Sequence, residues 1–121
     1  NLSTSIELKD KLDNGEIVFM AADRTAPDNA DSVFVESFLG RDASFPLGAF
    51  KFALLMGAPI YFIVCTKEKN DKTLIHLKKF LHEGKRTEKL KALEKEYVRF
   101  LEDLTFRYPF QFYNFYDFFN D

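Results

Sequence analysis

Hydrophobic positions along the chain fall into blocks of two kinds, short continuous runs and runs spaced three and four apart. "STSIELKDKLDNG" predicts a short helix, with Thr4 and Glu7 at capping-box spacing and Gly15 where a C-terminal cap belongs. Ile17 to Ala22 is continuously apolar, the pattern of a strand covered on both faces, and it runs into Asp23-Arg24-Thr25 and a polar loop. "VFVESFLG" reads as a second strand and "RDASFPLG" as a turn. Leu47 to Met56 reads as a buried helix stopped by Gly57. "PIYFIVCTKE" and "KTLIHLKKFL" read as third and fourth strands, paired as a hairpin through "KEKND". Leu90, Leu93, Tyr97, Phe100, Leu101 and Leu104 recur three and four apart with Lys and Glu between them, which predicts a long helix, capped at Thr87 and broken by Pro109. Strands alternating with helices predict an α/β class: a central, mostly parallel or mixed sheet of about four strands flanked by helices.

Composition changes this picture in two ways. A length of 121 residues suits one domain or one lobe spanning 1–121. Fifteen Phe and five Tyr with no Trp imply a core or surface built largely from rings. From Tyr108 to Phe119, eight of twelve residues are aromatic, too many to leave in water. Phe112, Phe115 and Phe119 have helical spacing, so a helix packed on the sheet is expected there, with a membrane-interface patch or an acyl-pocket wall as the functional alternative. The net charge of −2 supplies no basic field for nucleic acid. One cysteine, Cys65, precludes an intrachain disulfide and reads as an inert core thiol. The longest apolar run, Phe50 to Cys65, is interrupted by Lys51, Gly57 and Pro59 and is too short for a transmembrane span. The start carries neither a signal peptide nor a Met, and the chain reads as part of a longer protein.

Three groups could carry chemistry. Asp23 and Arg24 close a strand at the sheet edge where α/β folds gather ligands, and a guanidinium suits phosphate or carboxylate; a surface ion pair is the plainer alternative. Gly40, Arg41, Phe45, Pro46 and Gly48 form a rigid turn ahead of a helix, whose free N–H groups could meet an anion, or which is turn chemistry alone. The aromatic tail is the third. His76 and His82 have no acid at catalytic spacing, and no zinc, Walker or Gly-x-Ser-x-Gly pattern occurs, so no cofactor is expected.

The ordered blocks "ADRT", "VFVESFLGRDASFPLGAFKFALLMGAPIYFIVC" and "FQFYNFYDFF" resemble the C-terminal half of the bacterial lysophospholipid acyltransferase superfamily, most closely the lipid A biosynthesis (lauroyl/myristoyl-type) branch. The resemblance spans roughly Ile17 to Phe119. It implies transfer of a fatty acyl group from an acyl carrier protein or CoA thioester to a lipid hydroxyl or amine, on the cytoplasmic face of the inner membrane. It also implies substrate-binding roles for Asp23, Arg24, Gly40, Arg41, Phe45, Pro46 and Gly48, and a supporting strand opened by Ala58, Pro59 and Ile60. The family's general base is a His in an H-x4-D/E motif. Neither His76 nor His82 supplies it, so the base is expected upstream of Asn1, in an N-terminal part of the same protein, and no catalytic residue is expected within the chain. Leu47 stands where glycerolipid enzymes carry Glu, which favours lipid A-like or aminolipid-like acceptors over glycerol 3-phosphate. A lipid- or carrier-protein-binding lobe without catalysis and an α/β domain whose tail meets a partner are the competing expectations.

Overall fold

The computed structural model describes residues 2–22 and 33–109. Within them the order is α1 (Leu2–Asp13), β1 (Val33–Phe38), β2 (Arg41–Pro46), α2 (Leu47–Met56), β3 (Tyr61–Lys67), β4 (Thr73–Lys79) and α3 (Arg86–Arg107), with a short 3-10 turn at Lys69–Asp71. The α/β class holds, but the four strands do not join in one central sheet. They form two separate antiparallel hairpins, β1–β2 and β3–β4, and no parallel pairing occurs among the described residues.

The first hairpin corrects the reading of residues 41–48 as a turn: residues 41–46 are strand β2, and Leu47 and Gly48 begin α2. Phe38 pairs with Arg41, so the turn is Leu39-Gly40 alone. Both residues have positive φ, 55° and 83°, as a two-residue type I′ turn requires. Ala43 and Phe45 are buried while Asp42 is exposed and Ser44 and Pro46 are half-buried, so β2 alternates as a strand should. Pro46 is tolerated because it is the last strand residue and has no ladder N–H to supply beyond it.

Helix α2 runs as the pattern predicts. Gly57 takes the left-handed conformation at φ 72° and donates its N–H to Leu54 O, ending the helix. Lys9 of α1 reaches Met56 O at 3.2 Å, placing a cation on the α2 C-terminus. In the second hairpin Val64 pairs with His76 and Thr66 with Leu74, and Phe80 N–H extends the pairing to Ile60 O. Cys65 is exposed on its outer face, not in the core. Helix α1 starts at Leu2, ahead of Thr4. The N-cap of α3 is Lys85 rather than Thr87, and the Glu88 carboxylate accepts from the Lys85 N–H at 3.4 Å.

Residues 17–22 differ most from expectation. They join no ladder, and Ile17 (78%) and Phe19 (73%) are largely exposed. A continuous apolar run fits a doubly covered strand, but it fits an apolar surface equally, and here nothing among the described residues covers both faces.

Helix α3 is the packing centre. Leu93, Tyr97, Val98, Leu101 and Leu104 line its buried stripe. Tyr97 meets Phe50 at 5.2 Å and Phe62 at 5.4 Å, so one ring contacts both α2 and the second hairpin. Phe34 packs on Phe45 at 5.4 Å and on Phe50 at 4.9 Å, edge to face in the latter case. Among the described residues, Phe34, Phe38, Phe45, Phe50, Phe62 and Phe80 are core residues, whereas Phe19 and Phe106 are exposed. The expected packing of Phe112, Phe115 and Phe119 lies outside the described residues.

Candidate functional site

A cavity of about 960 Å³ opens between the 17–22 segment, α2, β3 and α3. Its walls are mostly carbon: Val18, Met20 and Ala22 on one side, Phe52, Ala53 and Met56 on another, with Leu101 and Leu104 below. This volume lies at the upper end of ordinary ligand pockets.

Polar groups gather at the end nearest the C-terminus of β3. Thr66 and His76 lie on the same hairpin face, one diagonal step apart in the register, and Thr66 Oγ1 and His76 Nε2 share a hydrogen bond of 2.8 Å. Thr66 is buried, 5% exposed. Tyr108, the residue capping α3, lays its ring against His76 at 5.5 Å and donates its phenol to Glu68 Oε1 at 2.6 Å. The residue before a proline is pushed out of helical geometry, and Tyr108 at φ −132° leaves the helix at this point, before Pro109. The Glu68 carboxylate accepting its proton holds the phenol pKa above the ordinary 10.0; partial desolvation acts in the same direction, and a hydrogen bond with Thr66 opposes them. Thr66 and Tyr108 line the cavity, while His76 and Glu68 stand behind them.

A second cavity of about 440 Å³ shares Ala53, Ala58, Pro59 and Ile60 with the first. Its other side carries His82, Arg86 and Lys89, three nitrogen-bearing side chains around one opening.

The residues singled out by resemblance are dispersed. Gly40 and Arg41 sit at one end of β2, and Pro46 and Gly48 at the other, a separation of roughly 16 Å for a six-residue strand. Phe45 between them is fully buried against Phe34, Phe38 and Tyr97. Gly48 is exposed in the first turn of α2, with open space where a Cβ would stand. Asp23 and Arg24 lie outside the described residues. Of the predicted block residues, Ala58, Pro59 and Ile60 line both cavities.

Sequence reasoning set His76 aside for want of an acid. Glu68 reaches it only through space, by way of Thr66 and Tyr108; the hairpin register could have signalled the Thr66–His76 pair, and nothing local signals Tyr108. Among the described residues no group of three or more His, Cys, Asp or Glu could hold a metal, and no helix is long and apolar enough to cross a membrane.

The chain matches no family model, no curated protein and no solved structure.

Proposed function

We propose that the chain is the acyl-holding portion of a lipid acyltransferase, which moves a fatty acyl group from an acyl carrier protein or CoA thioester to a lipid A-like, lysophospholipid or aminolipid acceptor. The observation that carries this reading is the apolar cavity of about 960 Å³ with hydroxyls at one end and a cationic cavity sharing its wall. An acyl thioester supplies a hydrocarbon chain for the first cavity and a phosphate-bearing arm for the second. Hydrocarbon buried in the groove would contribute about 0.8 kcal/mol for each CH₂ removed from water. His82, Arg86 and Lys89 would meet phosphate oxygens by charge-assisted contact. Exposed Ile17 and Phe19 beside the groove suit peripheral contact with a membrane surface.

In the transfer itself, the acceptor hydroxyl or amine attacks the thioester carbonyl. A C–O or C–N bond forms, the C–S bond breaks, and the acceptor's proton passes through a general base to the departing thiolate. That base belongs to the H-x4-D/E motif, which the 121 residues lack. The missing motif favours, for this chain taken alone, the second reading: a lobe that binds the acyl group without turning it over.

Calorimetric titration with a non-hydrolysable thioether analogue of lauroyl-CoA tests the proposal. Binding is expected in the micromolar range, with CoA alone weaker. Ala53→Trp, placed in the wall common to both cavities, should weaken binding of the analogue at least about tenfold if the side chain fills the groove. An intact protein that binds neither ligand would remove the acyltransferase reading. Binding without acyl transfer supports the non-catalytic lobe.

A further inference from the structure

Five described residues of the groove wall carry hydroxyls, Tyr61, Thr66, Tyr97, Thr105 and Tyr108, and they are not equivalent. Thr105 donates to Leu101 O at 2.8 Å and is committed to its own helix. Thr66 and Tyr108 are different. Each lines the groove and each is hydrogen-bonded to a titratable side chain behind it, Thr66 to His76 and Tyr108 to Glu68. Tyr108 gives its proton to Glu68, and Thr66 is engaged by His76 and Tyr108, so lone pairs are what the two oxygens retain toward the groove. Thr66 is buried and Tyr108 half-buried, and polar groups placed in an apolar wall fix the orientation of whatever lies along it.

We propose that Thr66 and Tyr108, held by His76 and Glu68, form the head-group end of the groove and take the uncharged, hydroxyl-bearing end of a single-chain lipid, such as a monoacylglycerol or a fatty alcohol. The inference rests on the groove being an acyl site and specifies which end of the lipid lies where.

Glu68 determines the selectivity. An incoming carboxylate would compete with Glu68 for the phenol proton 2.6 Å from Oε1, and would bring a second negative charge close to the first. The Arg107 guanidinium, 6.0 Å from the Tyr108 ring, is itself paired with Asp103 at 3.2 Å. An alcohol brings no charge and can donate its own proton to the two hydroxyl oxygens, which a carboxylate cannot do. Free fatty acid should therefore be rejected.

The test is displacement of the neutral dye Nile red from the full chain by monolaurin, dodecanol and laurate, each below its micellar concentration at neutral pH. Monolaurin and dodecanol should compete at about tenfold lower concentration than laurate, the size of one charge or hydrogen-bond penalty. Thr66→Val keeps the shape and removes the hydroxyl; Tyr108→Phe does the same for the phenol. Each should weaken monolaurin about three- to tenfold and leave Nile red affinity unchanged. Thermal melts identify a variant that has lost its fold, and the wild-type preference decides the matter even then. If laurate competes as well as monolaurin, or both folded variants bind monolaurin as wild type does, the head-group assignment fails while the acyl groove stands. If no single-chain lipid displaces the dye from wild type, both readings fail.

Discussion

Gly40 shows how one residue serves two readings. Its φ of 83° belongs to the left-handed region that the hairpin turn demands, and no atom lies within 4 Å of a Cβ built on it. Gly40→Ala should therefore cost about 1–2 kcal/mol through backbone conformation alone, lowering the melting temperature without changing lipid binding in the groove. A loss of binding larger than the loss of stability would return Gly40 to the substrate site. Glu94 gives a pH-dependent case. It is 3% exposed on α3, and burial is the main cause raising its carboxyl above the ordinary 4.5; Lys91 at 4.0 Å opposes this, Glu36 adds to it, and Lys51 opposes it. Between 4.5 and the raised value the folded chain keeps a proton that the unfolded chain has released. The stability from this group is thus fully present below 4.5 and is lost as pH rises through the folded value. Glu94→Gln should remove that decline, so melts at acidic and neutral pH should differ less in the variant than in wild type. The legible residues were those whose role is local: Gly57 ends a helix where the sequence places it. His76 was illegible because its partners come from the far end of β3 and the end of α3.

At the scale of elements, α3 does more than fill a groove between sheets. Its Glu102 Oε2 accepts from Leu39 N–H at 2.8 Å, across 63 positions of sequence, so a side chain of the long helix completes the turn of the first hairpin. Glu102→Ala should leave that partly buried donor without its carboxylate and destabilise the chain by about 1–2 kcal/mol in urea unfolding. Glu102→Gln keeps an acceptor and should recover part of the loss. Helices α2 and α3 and the second hairpin were readable because each has its own period, cap or turn. The first hairpin was half readable: Pro46 and Gly48 suggested a turn at 41–48, whereas the reversal is at Leu39-Gly40, just before it. Leucine at positive φ is a poor advertisement for a turn, and its helix-borne partner is invisible locally. The apolar 17–22 segment misled for a related reason, since a run of hydrophobic residues reports contact with something apolar and not with what.

At the scale of the molecule, two small hairpins with separate ladders depend on one helix. Phe62 ties the second hairpin to it, meeting Tyr97 at 5.4 Å and Phe100 at 5.8 Å, with Phe80 at 6.3 Å, while Phe45 of the first hairpin meets Tyr97 at 6.4 Å. Phe62→Ala should cost about 3–5 kcal/mol, a large share of the roughly 5–15 kcal/mol of an ordinary domain, and a urea midpoint unchanged from wild type would show that the second hairpin stands by itself. This dependence also orders events in time. The hairpins close over residues 39–40 and 68–72, and such structures form in about 1–10 μs. Alone, a two-stranded hairpin barely persists in water, so each must open and reform many times before α3 arrives to hold it. Arrival of that helix is then the slow step. The Glu102–Leu39 bond, made after arrival, should appear in stopped-flow experiments as a brake on unfolding: Glu102→Ala should speed the unfolding limb and leave the refolding limb nearly unmoved.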